Sequence, residues 1–576
     1  MNRRKLIYFL SAFVVIIGCY ALNLSYSLFT ATASSEGNIV DSTIPILNAS
    51  LEEDTFTIPA NSSKVIKLKI NNSSNIDLRY TISIDDIKGT VVQLVEGYNL
   101  TGEIRNETTQ KDVLLYVTNP NDGEITDLTF KLELKYLTLS FNESDFIAFS
   151  NFKKKEDGTL DTVSLFNSSI LARAKDTSIT DQSKTVLDEE FDSSNIISIS
   201  GENERKLIKA EDDYGTSYVF RGAVKDNYVN FAGFRWRIVR INGDGSIRLI
   251  LDGTLDTTCV EYNTDNSCKT YAGSTSAFNS SYDDNAYVGY MYGYTGGVTS
   301  KCLTKDATTK EYTVDSSTTH TTKETCESAG GRWAGTPYET THINKNSSTI
   351  KTNIDTFYET YIENGTTKQY EKYLADTIFC GDKSLASSGI GGVTTQIGYG
   401  AGSNNKTYYA ATERLWYGSG TTSITTANPT LKCAEGQTNT YSRYTVEEQN
   451  RNNVLTNGDL KHPIALLSAD ELVMAGAFNG KNQAYYLNDS PVFYWWLLSP
   501  YGFNGSTAIE FISDAMFTSL NSSIVKNFGS FYGSRPVINL RNDVLIESGD
   551  GTKEITYDEE GNILTKGPYV LKEIVG

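Results

Sequence analysis

The feature that most constrains this chain is a strict alternation of side chains. Val65-Ile66-Lys67-Leu68-Lys69-Ile70, Tyr80-Thr81-Ile82-Ser83-Ile84 and Leu128-Thr129-Phe130-Lys131-Leu132-Glu133-Leu134 each alternate apolar with polar residues. Successive side chains of a strand point to opposite faces, so a period of two buries one face and wets the other. Turn-forming clusters, Asn71 to Asn75 and Asn119-Pro120-Asn121-Asp122-Gly123, break the runs. Several such strands within about a hundred residues predict an immunoglobulin-like β-sandwich over residues 40–145. No catalytic constellation falls in it, and a stalk or spacer role is expected.

A second β signal opens the C-terminal part. Trp236, Ile238 and Val239 precede Asn242-Gly243-Asp244-Gly245, and Ile247, Leu249 and Leu251 alternate after it. Asn-Gly and Asp-Gly tolerate positive φ at low steric cost, which predicts a hairpin. Asn242 to Asp244 also resembles the start of a calcium loop, yet the acidic ligand needed at its far end is missing. Ile350, Ile354, Phe357 and Tyr361 form one apolar stripe at helical spacing, with Ser347 or Ser348 as the cap. Ser468 and Glu471 have capping-box spacing, and Gly476 suits the end of that helix. The pattern divides the chain into the sandwich, a linker at 146–210 and an α+β head at 211–576. An insertion at 296–341 is expected to be a disulfide-stapled outgrowth.

The N-terminus bears on location. Arg3-Arg4-Lys5 precedes the apolar run Leu6 to Leu22, the layout of an export signal or membrane anchor over residues 1–33. Three tethers are open: an uncleaved anchor, cleavage near Ala33, or lipidation of Cys19 in Ile16-Ile17-Gly18-Cys19, the first two ranking above the third. The remaining cysteines are Cys259, Cys268, Cys302, Cys326, Cys380 and Cys433, an even set that reads as disulfides in an exported chain. Connectivity is not readable from sequence; nearest-neighbour pairing, 259–268, 302–326 and 380–433, is the expectation. No CxxC spacing occurs and the histidines are His320, His342 and His462, so thiolate metal binding is not expected, nor any cofactor. A net charge of −19 with no basic cluster beyond the N-terminus excludes nucleic-acid binding as the expected role.

Two resemblances add to this reading. The apolar segment followed by Ser25-Tyr26-Ser27-Leu28-Phe29-Thr30-Ala31-Thr32-Ala33 resembles exported surface proteins of Gram-positive bacteria of the camelysin type. Tyr494-Trp495-Trp496-Leu497-Leu498-Ser499-Pro500 and Arg535-Pro536-Val537-Ile538-Asn539-Leu540 resemble a group of bacterial surface proteins with WWLxSP and RPVxNL strands. That group is distantly similar to the C-type-lectin-like and formylglycine-generating-enzyme-like fold. The Glu-Pro-Asn, Gln-Pro-Asp and Trp-Asn-Asp triplets of calcium-dependent sugar binding are absent. Cys433, the last cysteine, lies ahead of the Trp-Trp motif, which is wrong for the enzyme's cysteine pair.

No nucleophile elbow, zinc-protease helix or phosphate loop occurs either. Tyr494, Trp495, Trp496, Tyr501 and Phe503 are the candidate recognition face, because aromatic rings supply rigid contact area and stack on sugars; the competing reading makes the Trp pair core on one side of the strand with a single exposed ring on the other. Arg535 is expected to be structural, paired with a carboxylate. The expected function is a membrane-tethered, extracellular, adhesin-like head that binds a protein or glycan. A glycan-acting enzyme with a hidden carboxylate pair and a fibre or envelope component are the alternatives.

Overall fold

The computed structural model describes most of residues 57–136 and 162–573 with internal gaps, the longest at 255–275 and 387–398, together with strands at 29–33, 40–41 and 47–51. Cys19, Cys259 and Cys268 lie outside the described residues, as do the expected anchor helix and the 259–268 pairing. Among the described residues no helix is long and apolar enough to cross a membrane. The molecule is multi-domain and rich in β-structure. It separates into two compact units, residues 1–165 with 573–576, and 166–572.

Among the described residues the first unit holds ten strands: β1 (Phe29–Ala33), β2 (Val40–Asp41), β3 (Leu47–Leu51), β4 (Ser62–Asn72), β5 (Leu78–Asp86), β6 (Val91–Val95), β7 (Thr101–Ile104), β8 (Gln110–Asn119), β9 (Thr129–Tyr136) and β10 (Thr162–Leu165). They form two sheets, one ordered β1-β9-β5-β7, the other running β10-β6-β8-β4-β3-β2. The alternating segments fall on β4, β5 and β9, and the described side chains of the first two have the expected phase. Ile66, Leu68 and Ile70 of β4 are buried, as are Tyr80 and Ile82 of β5. Asn119 closes the unit's end, its amide donating to the carbonyls of Ile58, Pro59 and Gly123.

The second unit begins earlier than the expected head. Helix α1 (Phe166–Lys175) belongs to it, followed by β11 (Val186–Asp188) and β12 (Arg205–Asp212). Residues 166–210, expected to be linker, are therefore largely built into the head. The physical reason is non-local: Phe166 is fully buried and packs edge-on against Tyr569, while Arg173 pairs with Asp226 at 3.2 Å and Asp550 at 3.6 Å.

One sheet of this unit runs β11-β12-β13-β15, with β13 (Gly215–Gly222), β14 (Tyr228–Phe231), β15 (Phe234–Ile241) and β16 (Ile247–Thr254). The Asn242–Gly245 turn joins β15 to β16, with Gly245 at φ +82°. Strand Val537–Leu540 pairs with β16 and with Ile464–Ala465, which places the RPVxNL motif inside the sheet. A second sheet is built on Tyr494–Phe503, paired with Ala508–Asp514 and, in parallel, with Tyr532–Gly533. Helix α2 (Ala469–Ala475), capped by the Ser468/Glu471 box and ended by Gly476 at φ +127°, is buried along its whole length.

The insertion folds as a three-stranded sheet, Lys301–Lys305 between Tyr312–Val314 and Arg332–Ala334. It is docked, not free. Lys305 Nζ at 2.7 Å, Tyr312 Oη at 2.9 Å and Arg332 Nη1 at 3.2 Å converge on the buried carboxylate of Asp459. The disulfides 302–326 and 380–433 are both present, at Cα separations of 5.6 and 5.7 Å.

Candidate functional site

Strands β12 and β13 place Ala210 and Tyr218 on one wall of an open groove of about 670 Å³. Phe191, Leu431 and Met474 supply further apolar surface, and Lys432 stands exposed beside them. Phe191 is only partly buried, and the cations of Lys206 and Arg221 lie over its ring, each 5.8 Å from the centroid. The volume falls in the range of small-ligand sites, and a mixed aromatic and charged lining offers both stacking and hydrogen bonds.

Behind the groove lies a buried charge network. Arg240 pairs with Asp212 at 2.7 Å and Glu471 at 2.9 Å, and Arg248 also pairs with Glu471. Burial alone would raise the Glu471 carboxyl, but Arg248, Arg240 and the Ser468 N–H hold it down at about 2. Arg414 bridges Asp382 at 2.8 Å and Asp470 at 2.9 Å. Asp213 accepts from the Cys433 N–H at 3.1 Å and has Arg443 only at 4.0 Å, and burial raises its pKa. The space a water can enter among these groups is about 20 Å³, room for a single molecule.

A second polar cluster is fully buried. The neutral His342 ring donates from Nδ1 to the Tyr338 carbonyl at 2.9 Å and accepts at Nε2 from the Tyr409 hydroxyl. Burial, reinforced by the Lys383 charge, pushes the imidazole down to about 3, so it is neutral at physiological pH. Lys383 Nζ donates to Met291 O, His342 O and Asn344 Oδ1 at 2.9, 3.1 and 2.9 Å. Glu510 accepts from the Gly289 N–H, and burial raises its pKa well above the usual carboxylate range.

The aromatic candidates sit elsewhere. Trp495, Trp496 and Phe503 are fully buried and Tyr501 nearly so; only Tyr494 is partly exposed. They are core, and the expected exposed ring is absent, because the strand carrying them is covered on both faces. Trp496 donates to the Ser276 carbonyl at 2.7 Å and stacks on Tyr532, while Tyr501 is packed by Trp416, Tyr408 and Phe511. Arg535 is structural as expected: Nε donates to Leu251 O at 2.8 Å, and Nη2 lies 3.6 Å from Asp252. Sequence reasoning missed Phe191 and Tyr218, which had no motif around them, and the charge network, whose Arg240–Glu471 and Arg248–Glu471 pairs join residues more than two hundred positions apart. No family model, curated protein or solved structure matches this chain.

Proposed function

We propose that this chain is an exported, membrane-held binding protein: an immunoglobulin-like first unit carrying a C-type-lectin-like head that takes a glycan or protein ligand from outside the cell. The observation that carries the reading is the open groove at Phe191, Tyr218, Leu431 and Met474. The basic N-terminus with its apolar run supports the membrane tether, and the two disulfides support an oxidising location. The WWLxSP and RPVxNL strands, which form the hearts of two sheets, support the lectin-like comparison. Against a glycosidase at the charge network stands its geometry: Asp212, Asp470 and Glu471 are each held by a guanidinium. The space between them is also smaller than a sugar ring.

The test is a screen of the purified full chain, in detergent, against glycan and extracellular-protein arrays. A ligand is expected whose affinity falls about tenfold or more in Phe191→Ala/Tyr218→Ala, the size expected for losing central aromatic contacts. A screen with no ligand, or a ligand indifferent to both changes, would sink the proposal. A fibre or envelope role has one supporting observation, the hairpin Ile555–Tyr557/Ile563–Lys566, which exposes Ile555, Tyr557, Ile563 and Leu564. Sedimentation of the same sample separates the two, since self-association would favour the fibre.

A further inference from the structure

The insertion brings four metal-ligand side chains to one place. Cys302 lies on the strand Lys301–Lys305, Asp315 directly follows the strand Tyr312–Val314, and His320 lies in the turn before the short helix Lys323–Ser328, which carries Cys326. The ligand atoms of Cys302, Asp315 and His320 all lie within 4.8 Å of one another. Asp315 Oδ2 is 2.5 Å from His320 Nδ1 and 3.9 Å from Cys302 Sγ, and Cys326 Sγ is one bond further on.

Local bonds aim these groups. Asp315 N–H donates to the Cys302 carbonyl at 2.9 Å, clipping the loop to the strand. Ser317 N–H occupies Asp315 Oδ1 at 2.8 Å, which turns Oδ2 toward the histidine and the sulfur. Gly331 makes room for both sulfurs, since a Cβ there would stand 2.9 Å from each. Cys302 and Cys326 are buried, whereas Asp315 and His320 reach solvent and leave a path for an ion.

We propose that the reduced insertion is a zinc site with Cys302, Cys326, Asp315 and His320 as its four ligands, and that forming the 302–326 disulfide expels the ion. Two thiolates, an imidazole and a carboxylate make a tetrahedral donor set suited to zinc, and ligand atoms of such a site lie about 3–4 Å apart. The Asp315–His320 pair has to open by under about 1 Å to admit the ion between them. The redox step balances: a phosphine reductant gives two electrons to the disulfide, the S–S bond breaks, and water supplies the oxygen of the phosphine oxide and the two protons of the thiols. The two thiols formed then lose their protons as zinc binds. Oxidation by a small-molecule disulfide reverses this by thiol–disulfide exchange: the 302–326 bond forms, the reagent leaves as two thiols carrying the two electrons, and zinc loses two ligands. The insertion thus has two alternative staples, a metal before its cysteines pair and a disulfide afterwards. The separation of 24 residues between the cysteines conceals the site from spacing rules built on CxxC.

The test uses the full chain in detergent, reduced with a phosphine under anaerobic conditions. Zinc is titrated against a chromophoric chelator, and cobalt replaces it to read the thiolate-to-metal charge-transfer band. His320→Ala and Asp315→Ala keep every cysteine, so thiolates elsewhere in the reduced chain are the same in all samples. One equivalent of zinc is expected, bound about tenfold or more weakly in each variant and released when the native chain is reoxidised. His320→Cys, which supplies another soft ligand, should restore binding and intensify the cobalt band. Folding of each variant is checked by mapping the re-formed 302–326 disulfide after oxidation. Zinc binding equal in native protein and His320→Ala, or no charge-transfer band in the reduced native chain, overturns the assignment.

Discussion

Replacing Glu471 by Gln tests whether the buried charge network holds the second unit together. The carboxylate takes Arg240 Nε at 2.9 Å and Arg248 Nη1, and its other oxygen accepts from Ser468 N–H at 3.0 Å. A Gln of the same shape keeps an acceptor for Ser468 but takes the paired carboxylate from the buried Arg248 and leaves Arg240 with Asp212. Breaking a buried pair in this way costs about 3–5 kcal/mol, because the stranded charge is no longer compensated. The pH linkage reaches a similar figure. The Glu471 carboxyl sits at about 2 in the fold against 4.5 when exposed, a difference of about 3 kcal/mol at 1.36 kcal/mol per unit. Because the folded value is the lower one, this stability is fully present above pH 4.5 and is lost as pH falls toward 2. The assay is guanidinium-chloride unfolding read by tryptophan fluorescence. All five tryptophans, Trp236, Trp333, Trp416, Trp495 and Trp496, lie in the second unit, so the signal reports that unit alone. Glu471→Gln should lower its unfolding free energy by about 3 kcal/mol or more at pH 7 and flatten the loss of stability between pH 4.5 and 2. A change below about 1 kcal/mol, the range of an exposed ion pair, would refute the reasoning.

Other outcomes follow from the same structure. His342 is held neutral at about 3 against 6.5 in the open chain, so its contribution is complete above pH 6.5 and fades as pH falls toward 3. His342→Gln should remove that part of the acid sensitivity, amounting to at most about 4–5 kcal/mol, and an unchanged pH–stability curve would contradict the burial. Trp496→Ala should cost about 3–5 kcal/mol by opening a core cavity; a loss under about 1 kcal/mol in denaturant unfolding would restore the exposed-face reading. Peptide mapping without reduction should recover the 302–326 and 380–433 cross-links, and either cysteine of a pair found alkylated in native protein would break that assignment.

What was legible beforehand was local. The Asn242–Gly245 hairpin, the Ser468/Glu471 capping box and the first three members of the stripe, Ile350, Ile354 and Phe357, each depend on residues a few positions apart and are found where the pattern put them, whereas its fourth member, Tyr361, is exposed beyond the end of that helix. Nearest-neighbour cysteine pairing also held for 302–326 and 380–433. The helix Phe166–Lys175 was hidden in a charge-rich stretch because the contacts that hold it, Tyr569, Asp226 and Asp550, come from distant parts of the chain.

The sequence by itself determined the β-rich, multi-domain character, since alternation and turn chemistry act within a strand or a hairpin and leave their mark at short range. Tertiary structure alone decided which aromatic residues face solvent. The same Tyr-Trp-Trp-Leu-Leu pattern suits a recognition face or a core, and only the elements covering both sides of that strand, with Tyr532, Phe278 and Trp416 among them, made it core. The groove at Phe191 and Tyr218 and the meeting of Cys302, Cys326, Asp315 and His320 arise the same way. Chain crossings bring these side chains together, and distance in space is a quantity that spacing along the chain does not carry.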